Sequence, residues 1–102
     1  MFVVIFTAEE KNFDIEYQET ARKMREMATG IYHCQKIDSL FENGKEVTLS
    51  YWNNEADIKA WQENREHRQA QEKGKKDWYR SYSVEVAEVK RSYSSSVLDV
   101  SE

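Results

Sequence analysis

A chain of 102 residues is the size of one domain, and its high surface-to-volume ratio leaves it only a modest core of its own. Charged residues make up 33% and hydrophobic residues 39%, but 13% aromatics and several β-branched runs argue against disorder. A net charge of −4 offers no field to attract a phosphate backbone, and the single cysteine, Cys34, excludes an internal disulfide. No stretch approaches the roughly 20 apolar residues that span a bilayer, and the apolar start Met1–Phe6 lacks the basic flank of a signal peptide. The expectation is a cytoplasmic protein that binds neither nucleic acid nor membrane.

The first element is the run Phe2 to Phe6, five large apolar residues. A strand alternates its side chains between two faces, so this run asks for cover on both. Thr7 to Asn12 is polar and reads as a loop. From Asn12 to Thr29 the period changes: Phe13, Tyr17, Ala21, Met24 and Ala28 form one stripe of an amphipathic helix, and Gly30 stands where a C-terminal glycine belongs. Ile31 to Phe41 reads as a second strand. Asn43-Gly44 is the pair favoured by a tight hairpin turn, and Glu46 to Trp52 returns as a third strand. On that strand Val47, Leu49 and Tyr51 share one face, and Thr48, Ser50 and Trp52 the other.

Asn53 or Asn54 then caps a second helix carrying Ile58 and Trp61, with Asn54 and Asp57 in the spacing of a capping box. A break is expected near Asn64, after which a helical stretch resumes through His67, Ala70 and Gln71 to Gly74. In the last strand Tyr82, Val84 and Val86 share a face whereas Ala87 and Val89 take the other, which predicts a bulge or a strand that passes from one core to another. The order β-α-β-β-α-β is that of an α+β, ferredoxin-like domain over residues 1–93, with a serine-rich tail over 94–102. Two helices on one face of a four-stranded sheet leave the other face bare. A second copy of the chain is the simplest cover, so a homodimer is expected.

The stretch from Val47 to Trp61, with its Tyr51-Trp52 pair and the Trp nine residues later, resembles the third strand and second helix of the antibiotic biosynthesis monooxygenase family. Glu66 to Gln71, Gly74 and Trp78-Tyr79 are similar to one subgroup of it. The resemblance runs from Phe2 to Tyr93. It implies a dimeric α/β barrel with an antiparallel sheet, and a substrate lodged between helices and sheet within each unit. It further implies a monooxygenase acting with O₂ and without metal or flavin on a small aromatic molecule, polyketide- or quinol-like. Haem binding or degradation is the alternative, and a non-catalytic ligand-binding dimer a third.

Carried over residue by residue, Trp61 matches a Trp that shapes the pocket. In the cofactor-free oxygenases an Asn stands four residues before that Trp, where this chain has Asp57, and another stands near the start of the first helix, best matched by Asn12. An ionised Asp57 can only accept a hydrogen bond where an amide could donate one to a substrate anion. In the haem-degrading kind an iron-ligating His lies ten residues after the Trp, where this chain has Gln71, and an Asn ends the first strand, where it has Phe6-Thr7. His67, one turn before Gln71, is the candidate base, since an unperturbed imidazole titrates near neutrality. The catalytic candidates are therefore Trp61, Asn12, His67 and Asp57, and the substrate-side candidates Trp52, Tyr51, Gln71 and Trp78. Each aromatic among them could equally be core, and Asn12 and Asp57 could equally be helix-start residues.

Overall fold

A computed structural model describes residues 1–96. Four strands form one antiparallel sheet: β1 (Phe2–Glu10), β2 (Lys36–Glu42), β3 (Lys45–Trp52) and β4 (Tyr79–Glu88), in the spatial order β2-β3-β1-β4. The helices are α1 (Ile15–Gly30), α2 (Glu55–Gln62) and α3 (Arg65–Lys73), followed by a π-helical turn over Gly74–Trp78. This is the ferredoxin-like α+β arrangement expected from the order of elements. The expected tail falls partly on residues 97–102, outside the described residues.

The hairpin between β2 and β3 turns on Asn43 (φ 51°) and Gly44 (φ 75°), both left-handed, as a two-residue turn that matches strand twist requires. Asn54 caps α2 by accepting the Asp57 N–H at 2.9 Å, and Asn64 restarts the helical path as α3 by accepting the His67 N–H at 2.9 Å. Ala28 of α1, Cys34, Trp52 of β3, and Ile58 and Trp61 of α2 form the buried core between helices and sheet.

Several boundaries differ from expectation. Thr7–Glu10 is not a loop, because β1 is flanked by β3 and β4 and pairs with both along its whole length, so pairing overrides a polar sequence. The first helix begins at Ile15 under an Asp14 cap, and Asn12 precedes it. Gly30 lies within α1; the left-handed residue is His33 (φ 68°) in the loop that follows. That loop, pinned by the Cys34 N–H to Ala28 O at 3.0 Å, delays β2 until Lys36 meets Tyr51. The register of β4 is regular through Val86 and Ala87, and its irregularity sits at the other end, opposite Glu9 and Glu10.

Candidate functional site

A cavity of about 190 Å³ opens between the helices and the sheet. The pleat decides which residues reach it. Val4 and Phe6 of β1 point in, and the register pairs them with Ser50 and Thr48 of β3, which point in as well. Glu46, Thr48, Ser50 and Trp52 therefore line one side, and Tyr51 falls on the opposite face of the sheet. Trp52 is 1% exposed and donates its indole N–H to Ser50 Oγ at 2.9 Å.

Trp61 and His67 form the wall contributed by α2 and α3. Their rings stack at 4.3 Å and 24°, and Tyr32 leans on Trp61 at 5.2 Å. Asn64 holds this group together. Its side-chain oxygen caps α3 at His67, and its amide donates to Tyr32 Oη at 2.7 Å. Burial lowers the His67 pKa to about 4; the Trp61 carbonyl opposes that shift without satisfying the buried Nδ1, which has no hydrogen-bond partner. The imidazole is therefore neutral at pH 7. The near-neutral titration that made it a candidate base is removed by its own burial.

At the other end, Tyr17 of α1 and Trp78 of the π turn meet edge to face at 5.2 Å, and Phe13 stacks on Tyr17 at 4.3 Å. The indole N–H of Trp78, 2% exposed as a residue, is buried without a partner. The π turn brings Trp78 to the cavity. Gly74 at its start is obligatory there: a Cβ would lie 2.3 Å from the Tyr79 ring.

Between these ends lies a feature not singled out from the sequence. Glu46, 5% exposed, accepts hydrogen bonds from Tyr17 Oη on one carboxylate oxygen and from Thr48 Oγ1 on the other. Ser39 Oγ lies 2.8 Å from Thr48 Oγ1 and takes a bond from Arg25 Nη2 at 2.9 Å. Burial pushes the Glu46 carboxyl above its ordinary range, and the Thr48 hydrogen bond opposes this. The signal available in the sequence was the alternation itself: Glu46 shares a face with Thr48, Ser50 and Trp52.

Of the residues expected at the site, Trp61, His67, Gln71, Trp52 and Trp78 line the cavity. Asn12, Asp57 and Tyr51 do not. The Asn12 N–H bonds Trp78 O at 3.1 Å from an exposed position. Asp57 sits in the first turn of α2 with its carboxylate 3.5 Å from His33 Nδ1, and Tyr51 lies under Lys36 Nζ at 5.6 Å on the far face. Asp57 is one turn before Trp61, but it is half-buried beside His33 and outside the cavity lining. No group of three or more His, Cys, Asp or Glu side chains able to hold a metal occurs among the described residues, and no helix is long and apolar enough to cross a membrane.

No family model matches the chain. The uncharacterized protein YqjZ of Bacillus subtilis (strain 168) is 37% identical over 91 residues, covering 88% of this chain and 80% of that protein. Among solved structures, an antibiotic biosynthesis monooxygenase superposes with a TM-score of 0.72 at 16% identity, over 89% of this chain and 100% of the other. Proteins provisionally assigned to that class superpose similarly. The one from Nitrosomonas europaea gives 0.74 at 16% identity over 89% of this chain and all of its own. The one from Deinococcus radiodurans gives 0.66 at 13% over 95% and all of its own. At such identities the likeness speaks for the fold.

Proposed function

We propose that this chain, which belongs to the same family as YqjZ of Bacillus subtilis and has the fold of the antibiotic biosynthesis monooxygenases, binds a small flat aromatic molecule in its cavity and oxidises it with O₂ without a cofactor. The observation that carries this reading is the cavity itself. It is walled by Trp52, Trp61, Trp78 and Tyr79, and two of its lining residues, His67 and Trp78, carry buried ring nitrogens without partners, Nδ1 and Nε1. Buried polar atoms are normally hydrogen-bonded, so a site that leaves two open among aromatic walls is suited to a ring bearing oxygen substituents. A cavity of about 150 Å³ admits benzene. Some 190 Å³ therefore suits one or two rings, which favours a hydroxyarene or quinol over a three-ring polyketide.

The chemistry needs little from the protein. Triplet O₂ accepts an electron readily only from an electron-rich anion, so the site has to remove a proton, hold the anion and exclude water. For a hydroxyarene with a free para C–H, ArOH + O₂ gives a quinone and water. One oxygen atom enters the ring and the other leaves with the two hydrogens. Trp61 would set the ring plane, Trp52 and Gln71 would flank it, and the Trp78 N–H would donate to an oxygen that gains charge. Asn12 and Asp57, outside the cavity, act in this reading as residues of the helix starts. Haem, the alternative, fits these residues poorly. Gln71 offers an amide where an imidazole would be needed, His67 is stacked flat on Trp61 with Nδ1 buried, and Cys34 lies in the α1–β2 loop bonded to the Lys36 and Tyr51 carbonyls.

A homodimer belongs to the same proposal. Val3, Ile5, Val47, Leu49 and Tyr51 are half-buried on the face away from the helices, with Leu40 66% exposed beside them. That face is apolar enough to seek a second copy. The decisive experiment is a titration of tryptophan fluorescence with a hydroxynaphthalene, paired with an O₂ electrode and absorbance of the quinone. Saturable quenching and O₂ uptake, both lost in Trp61→Ala, are expected. Binding without O₂ uptake would reduce the protein to a ligand-binding dimer, and a haem Soret band that sharpens at one equivalent would favour the alternative.

A further inference from the structure

We propose that Glu46 is the proton acceptor of this cavity, and that the hydroxyls of Thr48 and Ser39 carry its proton to solvent beside Arg25. The inference rests on the pocket reading above and adds the residue that does the acid–base work, and with it a charge rule for the ligand.

Glu46 occupies an inward position of β3 next to the hairpin. Its register neighbours are Ala8 on β1 and Phe41 on β2, neither of which can pair with a charge. Among the described residues no Lys, Arg or His lies within ion-pair distance of it. A cation in contact would hold the carboxylate ionised and make it a poor base. Its partners are instead hydroxyls: Tyr17 from α1 and Thr48 from its own strand. Tyr79, at the start of β4, also faces it. Burial first, then the Glu46 charge, raise that phenol far above its usual range, so Tyr79 stays neutral and does not compete. His67 lines the same cavity from α3, but with a pKa of about 4 it is the weaker acceptor. Burial moves the Glu46 carboxyl the other way, toward a stronger acceptor.

The hydrogen-bond chain has one consistent direction. Arg25 donates to Ser39, Ser39 can donate to Thr48, and Thr48 donates to Glu46. Hydroxyls both give and take protons, so the two in series can pass a proton outward by reversing their bonds. A guanidinium cannot accept that proton. Its role is to fix Ser39, which is partly exposed and is the point of exchange with water.

When a neutral hydroxyarene enters, its O–H bond breaks, the electron pair stays on the ligand oxygen, and the proton forms a bond to a Glu46 oxygen. The negative charge moves from protein to ligand and none is added, so the step requires no second buried charge. Trp78 lines the cavity and its indole N–H is buried and unpartnered, so it would be the donor to the new anion. A ligand that arrives already anionic would face Glu46 across a low-dielectric cavity. The site should therefore take neutral hydroxyarenes, and should take an anion only together with a proton.

The test uses 4-nitrophenol, whose anion is coloured, with nitrobenzene as a probe that has no proton to give. In wild type, 4-nitrophenol added above its own pKa should bind with uptake of about one proton, seen with a pH indicator in weakly buffered solution. Infrared difference spectra should show a protonated carboxyl appearing. Glu46→Gln should lose both signals while nitrobenzene affinity changes less than about threefold. Ser39→Ala should keep the equilibrium uptake and slow proton release in stopped flow. Turnover of a hydroxynaphthalene should fall about 100-fold or more in Glu46→Gln, the scale of general base catalysis. If 4-nitrophenol binds wild type with no proton uptake and no carboxyl band, Glu46 is not the acceptor, although the pocket stands. If neither probe binds, the pocket reading fails and this inference with it. The infrared experiment needs no variant, so a misfolded Glu46→Gln does not shield the idea.

Discussion

On one strand, β3, the two faces of the sheet have exchanged their usual characters, while β1 turns Val4 and Phe6 to the helices in the ordinary way. On β3, Glu46, Thr48 and Ser50 point toward the helices with Trp52, while Val47, Leu49 and Tyr51 point away from them. A half-covered antiparallel sheet normally turns apolar residues to its helices and polar residues to water. Polar groups on the covered face are costly unless hydrogen-bonded, as Glu46, Thr48 and Ser50 are here, and a large apolar patch on the open face invites another surface. One strand, read at alternate residues, thus carries both the proposed site and the proposed association surface.

The largest effect that could break this comparison comes from adjacent residues on opposite faces. Trp52→Ala should cost about 3–5 kcal/mol of folding stability, because it empties the centre of the core, and the loss should not depend on protein concentration. Tyr51→Ala should instead leave the monomer's cavity intact and act on association. Thermal melts over a range of concentrations separate the two. Equal, concentration-independent losses would mean that the outer face is only a surface. Next in size is Leu49→Lys, which places a charge at the middle of the open face between Ile5 and Asp38. We expect the dimer to weaken by at least about 100-fold, roughly 3 kcal/mol, in sedimentation. Fluorescence titration with nitrobenzene should be little changed.

How much of this was legible beforehand follows the same division. Alternation along Val47–Trp52 showed which residues share a face, and Asn43-Gly44 and Asn54 marked their turn and cap. Alternation alone does not say which face meets the helices. Thr48, Ser50 and Trp52 were grouped on one face with no side assigned to it, and Glu46 was only the start of the strand. Trp61, His67 and Gln71 could be placed at the cavity because helical spacing and resemblance agreed on them, and Trp78 as an aromatic within the resembling stretch. Asn12 and Asp57 were matched by offset along the chain, and an offset is not a direction: one turn before Trp61, Asp57 turns to His33 and not to the cavity. The length of β1 was hidden because Thr7–Glu10 owe their strand conformation to pairing partners about 40 and 75 residues away in sequence.

A smaller effect tests the inner face through His67. Its folded pKa of about 4 lies below the unfolded value near 6.5, so the folded state resists protonation. Stability from this group is complete above about pH 6.5 and is lost as pH falls toward 4, by about 2–3 kcal/mol. His67→Phe keeps the stack on Trp61 and removes the proton site. Its melting temperature should therefore lose that part of the acid limb. A variant whose acid limb matches wild type would show that the imidazole is hydrated and not buried.

The smallest effect has the opposite sign and bears on Glu46. Burial raises its folded pKa above the unfolded value of about 4.3, so folding here favours the protonated carboxyl. The contribution is present in full below about pH 4.3 and is lost as pH rises through the raised folded value. Each tenfold gain in proton affinity corresponds to about 1.4 kcal/mol. Glu46→Gln carries no such penalty, because an amide is neutral throughout. Relative to wild type it should be near equal or slightly weaker at pH 4, where Tyr17 and Thr48 meet a neutral group in both proteins. The difference should then turn in favour of Gln as pH rises above the unfolded value and level off above the raised folded one. Chemical denaturation of the two proteins from pH 4 to 9 measures that difference directly, and His67, common to both, cancels from it. A difference that runs the other way, with Gln progressively worse as pH rises, would mean that the Tyr17 and Thr48 hydroxyls stabilise the ionised carboxylate more than burial penalises it. Glu46 would then be a structural anion holding α1 to the sheet, and the inner face would have lost its base.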